Sequence, residues 1–240
     1  MTSNMVHRAR QMAVGIAVTS MAVVVLPGAP AWALTSPAAV KGASAKVKAT
    51  GASVRSVAQQ SDGSQVTTLV AAAKSQIGRT TSYDPAYVAL AYPGGDVPID
   101  RGVCTDVLIR AFRGIGIDLQ VEVHQDMLKR FSSYPKYGRT TPDANIDHRR
   151  VKNLSTFFTH MGAARPVTQD AADYLPGDIV MWDVGGLDHT GLVVDAMVPG
   201  TDRHQVVHNI GDGAQMEDIL FAYPVKGHFR YPVAATPPTS

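Results

Sequence analysis

The stretch His189-Thr190-Gly191-Leu192-Val193-Val194 is a short, largely β-branched run opening on a histidine, and after the Pro199-Gly200 turn a second run follows as Gln205-Val206-Val207-His208-Asn209-Ile210. Two such runs joined by a turn predict adjacent antiparallel strands. With Val194 and Gln205 flanking the connection, paired residues carry numbers that sum to about 399, within two. His208 then falls one same-face step from His189, and strands about 4.8 Å apart let the two imidazoles meet. Gly191 shares their face and leaves space beside the ring. Asn209 has the opposite parity and, unless a bulge intervenes, points to the other face, which makes it the weaker candidate for the residue that orients the base.

Outward from this pair, Asp178–Trp182, Ile219–Tyr223 and Gly227–Tyr231 are further short apolar runs, separated by Gly185-Gly186 and Gly211-Asp212-Gly213. They extend the antiparallel sheet. Upstream the period changes. Apolar residues three and four apart predict helices from Ser64 or Gln65 to Ile77, from Val103 to Ile115, from Gln120 to Phe131 and from Val151 to Met161. Helices first and an antiparallel sheet afterwards is an α+β layout, with one folded domain over residues 64–234.

The chain has 240 residues, 45% apolar and 18% charged, enough for one substantial core. A formal charge of +2 gives no basic excess of the kind that nucleic-acid binding needs. At the N-terminus His7, Arg8 and Arg10 precede an apolar run from Met12 to Leu26, then Pro27, Gly28 and Ala31-Trp32-Ala33. That is the layout of a secretory signal peptide over residues 1–33. The apolar run is shorter than the roughly 20 residues of a membrane span, so an exported protein, periplasmic or extracellular and cell-wall associated, with no membrane attachment after cleavage is expected. Residues 34–63 have no aromatic and read as a flexible linker; 235–240 form a tail.

The single cysteine, Cys104, cannot close an internal disulfide or supply a multi-cysteine zinc site. It falls in the first turn of the second predicted helix, where unpaired N–H groups favour a thiolate. A nucleophilic thiol also needs a base and a group that orients the base. His189 and His208 are the pair that the predicted sheet supplies. Asp106 reads as a helix-start acid interacting with the dipole. Arg149, Arg150 and Asp147 are candidate contacts for a substrate carboxylate. Two other readings compete: zinc held by His148, His189, His208 and Asp188, without the tight spacing typical of such sites, and a non-catalytic wall-binding protein in which Cys104 and His189 only pack. No metal or other cofactor is expected on the preferred reading.

The order Tyr92-x-Gly94-Gly95, Cys104 at a helix start, Leu175-Pro176-Gly177-Asp178-Ile179-Val180, Asp188-His189-Thr190-Gly191 and Val206-Val207-His208 resembles the NlpC-type branch of the papain-like cysteine peptidases. The stretch from Tyr83 to Tyr231, with Asp100-Arg101-Gly102-Val103-Cys104-Thr105-Asp106 and Asp143-Ala144-Asn145-Ile146-Asp147-His148-Arg149, is more closely similar to the YijF-like family of uncharacterised exported bacterial proteins. The resemblance implies a papain-like fold and cleavage of a peptide or amide bond in peptidoglycan stem peptides. It implies Cys104 as nucleophile, His189 as base, His208 as third polar residue and Tyr92 as a tyrosine lining the site. Val103-Cys104-Thr105-Asp106 departs from the usual Asp-Cys-Ser-Gly, and a helical block from Asp118 to Gly162 lengthens the interval between nucleophile and base.

Overall fold

The computed structural model describes residues 53–232, with side chains from Gly63 onward. The signal segment, most of the linker and the tail expected from the sequence lie outside the described residues. Helix α1 (Ser53–Lys74) begins well before the expected Ser64. No proline interrupts residues 53–62, and Gly63 stands in open space, so the helix continues through residues expected to form linker. Its last turns bury Leu69, Val70 and Ala73.

Two short strands, β1 (Ser82–Tyr83) and β2 (Arg101–Gly102), pair in parallel and lead into α2 (Cys104–Arg113). Helix α2 buries Val107, Leu108, Ala111 and Phe112, the stripe that the three-and-four spacing marks out. Next comes α3 (Leu119–Arg130), started by Asp118, whose carboxylate accepts the Gln120 N–H at 3.1 Å. A polar stretch returns through α4 (Val151–His160).

The sheet follows: β3 (Ile179–Val184), β4 (Leu187–Met197), β5 (His204–Asn209), β6 (Ala214–Glu217) and β7 (Val225–Phe229). Its order is β6-β5-β4-β3-β7 and every neighbouring pair is antiparallel. The fold is therefore α+β. The β4–β5 register pairs Gly191 with His208, Leu192 with Val207 and Val193 with Val206, the alignment that the turn predicts.

One face of the sheet, with Leu192, Val194 and Val207, packs on α1, α2, α3 and α4 around Phe112 and Phe158. The other face, with Trp182, Val193 and Val206, is covered by Tyr174, Ile219 and Leu220. Here the structure corrects one expectation. Residues Ile219–Tyr223 form a turn, and β6 is the more polar Ala214–Glu217. The Gly211-Asp212-Gly213 turn sets Ala214 opposite Asn209, so pairing along β5 is completed by Glu217, and the apolar run beyond it folds over the core as a plug.

Asp178, in the Pro176-Gly177-Asp178 turn, is fully buried where β3 begins. Its carboxylate accepts the Leu175 N–H at 2.9 Å, His228 Nε2–H at 2.8 Å, and Arg230 Nε–H and Nη2–H at 2.6 and 2.7 Å. The turn is thereby fastened to β7.

Candidate active site

Cys104 is the first residue of α2 and is 3% exposed. Its N-cap, Val103, has no side-chain oxygen to satisfy the first turn. Asp106 supplies the reverse contact, its carboxylate accepting the Val103 N–H at 2.7 Å. The same carboxylate receives Arg149 in a two-pronged pair, Nε to Oδ1 and Nη2 to Oδ2, both at 2.9 Å, with both side chains almost fully buried. Gly102 lies tight against this pair, since a Cβ there would stand 3.0 Å from Asp106 Oδ2. Asp106 is thus more than a helix-start acid: it ties the segment carrying the thiol to the 3-10 turn Asp147–Arg149.

Burial pushes the Cys104 thiol up to about 12, against the pull of backbone N–H groups of Thr190, Thr105 and Cys104 itself that favour the thiolate; the Asp106 charge adds to the rise. Burial also holds the His189 imidazole well below its ordinary value, and neighbouring His208 pushes the same way. The resting site at neutral pH is therefore a thiol beside a neutral imidazole.

The two histidines meet. His189 Nε2 lies 3.1 Å from His208 Nδ1. His208 Nε2 in turn lies 3.0 Å from Glu217 Oε2. The carboxylate can only accept, so it fixes the proton of His208 on Nε2. With His208 neutral, its Nδ1 accepts the Nε2–H of His189, and the lone pair of His189 rests on Nδ1. Trp182 stacks on the His189 ring at 5.8 Å between centroids. The close approach needs Gly191, because a Cβ there would stand 2.6 Å from Val206 Cγ1 and 3.0 Å from His208 Cβ. Glu217 was not foreseen from the sequence, although the signal existed: the tight turn at residues 211–213 sets Glu217 diagonal to His208 just as the preceding turn sets His208 diagonal to His189.

Cys104 and His189 line one cavity of about 390 Å³, with Tyr83, Arg149, Arg150 and Asp188 also on its wall. No hydrogen bond joins Sγ to His189 in this structure. A second cavity of about 280 Å³, bounded by Lys152 and Trp182, shares Val151 and Asp188 with the first.

Three expectations are corrected. Tyr92 lies away from this cavity. Its ring packs edge-on against His124, and its turn is docked on the start of α3, with Gly94 N–H donating to Asp118 and Gly95 N–H to Gln120. The tyrosines on the cavity wall are Tyr83 and Tyr137; Tyr83 comes there because the β1–β2 pairing sets it opposite Gly102, two residues before the thiol. Asp147 is buried below the cavity; it accepts the Asp143 N–H and has no place on the cavity wall. Arg149 reaches the wall, but its guanidinium is already engaged by Asp106. Of the three residues expected as carboxylate contacts, only Arg150 lies on the wall without an ion-pair partner among the described residues. For the zinc reading, no group of three or more His, Cys, Asp or Glu side chains able to hold a metal occurs among the described residues.

A profile of the family described as DUF1287, a domain of unknown function, matches residues 70–231. The chain belongs to that family. It is 54% identical over 162 residues to the "Uncharacterized protein YijF" of Escherichia coli (strain K12), a match spanning 66% of this chain and 78% of that protein. Among solved structures it matches NlpC1 and NlpC2 from Trichomonas vaginalis, at 19% and 17% identity and TM-scores of 0.36 and 0.35. Each match covers 67% of this chain but only 42% and 44% of those chains, so the chain spans less than half their length.

Proposed function

We propose that the protein is an exported cysteine hydrolase that cleaves a peptide or amide bond in the stem peptides of peptidoglycan. The observation that carries this reading is the ordered series Glu217, His208, His189, ending in a cavity that also holds the lone thiol at a helix start. A packing cluster has no need for a carboxylate that sets the tautomer of two successive imidazoles.

In this mechanism His189 Nδ1 takes the Cys104 proton as Sγ bonds to the carbonyl carbon. The developing oxyanion is met by the Cys104 backbone N–H and by Tyr83 on the neighbouring strand. Collapse breaks the C–N bond, the amine leaves with the proton from His189, and a thioester remains. Water then attacks the thioester, His189 takes its proton, and the acid product leaves as the thiol re-forms. Because the buried pair starts neutral, the thiolate arises during attack rather than before it. His208 and Glu217 stabilise the imidazolium formed in between.

The test is mass spectrometry of muropeptides after digestion of purified sacculi. Release of new amino and carboxyl ends by the parent protein and none by Cys104→Ala is expected. Undiminished release from the Ala form would exclude covalent thiol catalysis. The deep burial of the thiol favours one other reading, a wall-binding protein without turnover, for which retention on sacculi with no new ends would speak.

A further inference from the structure

The catalytic cavity carries two guanidinium groups in different states. Arg149 is saturated by Asp106. Arg150 lies over the Tyr137 ring, 4.1 Å from its centroid, and its Nε is buried without any hydrogen-bond partner. Among the described residues no carboxylate stands within ion-pair distance of it; Asp188, the acid on the same wall, is engaged by Lys152 at 3.5 Å. Contact with the Tyr137 ring restricts the freedom of the guanidinium, and its terminal Nη groups remain the donors that could receive a carboxylate with two hydrogen bonds.

We infer that Arg150 is the anchor for a free carboxylate on the substrate, so that the protein takes acidic peptides and discriminates against the same peptides with that carboxyl amidated. The cavity volume corresponds to a sphere about 9 Å across, two or three residues of extended chain. The recognised carboxylate therefore lies within two or three residues of the amide facing Cys104. This inference rests on the reading of that cavity as the substrate site, but not on turnover.

Calorimetric binding to the Cys104→Ala protein tests it, using the stem tetrapeptide with all carboxyls free and a series in which each carboxyl is singly amidated. One amidated form should bind about tenfold to a hundredfold more weakly, the loss of a charged two-pronged contact. In Cys104→Ala/Arg150→Gln that difference should vanish, while Arg150→Lys, which keeps the charge but not the fork, should retain part of it. A matching thermal melt for the variants shows that the fold is intact. Equal affinity across the series, no measurable binding of the all-acid peptide, or discrimination that survives Arg150→Gln would overturn the assignment. Discrimination in binding without cleavage by the parent would leave Arg150 as the anchor and remove the hydrolase reading instead.

Discussion

At the scale of single residues the account turns on where protons sit. Cys104 is held as a thiol and His189 as a neutral imidazole by their burial, so reactivity depends on how well the imidazole can accept charge during attack. Glu217 governs that through His208. Replacing it by Gln offers His208 Nε2 a neutral partner that can also donate, and both tautomers of His208 become accessible. Glu217→Gln should lower kcat/KM about tenfold to a hundredfold, part of the 10²–10⁴ that a positioned acid-base group contributes. The acid limb of the pH–rate profile should move to lower pH, because an imidazolium with no carboxylate behind it forms less readily. Steady-state rates from about pH 5 to 9 would show it. An unaltered profile would reduce Glu217 to a hairpin residue.

At the scale of elements, some of this was legible and some was not. The β4–β5 register could be read because a Pro-Gly turn and two short aliphatic runs leave few alignments, and the alignment decides which histidines meet. The Asp106–Arg149 pair could not be read, because the two residues lie far apart in sequence and nothing in either segment names its partner. The place of Tyr83 beside the thiol could not be read for a similar reason: a two-residue parallel bridge has no periodic signature. That buried pair makes its own prediction. Asp106→Ala leaves Arg149 charged, buried and unpaired and also uncaps α2, which should cost about 3–5 kcal/mol in chemical denaturation. Because the damaged helix start carries the thiol, activity measured well below the midpoint should fall as well. Exchanging Arg149 for Met in the Asp106→Ala background should recover stability without activity.

For the whole molecule, the buried histidines and carboxylates set the response to acid. Burial lowers His148 to about 4 and holds His189 well below 6.5, so each stays neutral in the fold while the unfolded chain binds a proton. Between the unfolded value near 6.5 and the folded one the unfolded state holds more protons, so stability is full above about pH 6.5 and falls as pH drops, at about 1.4 kcal/mol per unit for each group. Asp178 adds a second, lower step. Burial alone would raise its carboxyl, but the hydrogen bonds from Arg230, His228 and the Leu175 N–H outweigh that and hold it below its ordinary value. Its stabilisation is present above about pH 4 and is lost as pH falls further. Thermal melts should therefore show Tm declining from about pH 6.5 downward, and His148→Gln should flatten the upper part of the decline. A Tm independent of pH between 7 and 4.5 would contradict this picture of the interior.

The coupling of sulfur to imidazole is tested most directly by the rate at which a small alkylating reagent modifies Cys104 at pH 7, compared between the parent protein and His189→Ala and read by intact-protein mass. If His189 draws the proton from the thiol, the parent should react about a hundredfold faster or more, in the range of a positioned general base. Equal rates in the two proteins would mean that the thiol and the imidazoles share a cavity without working together.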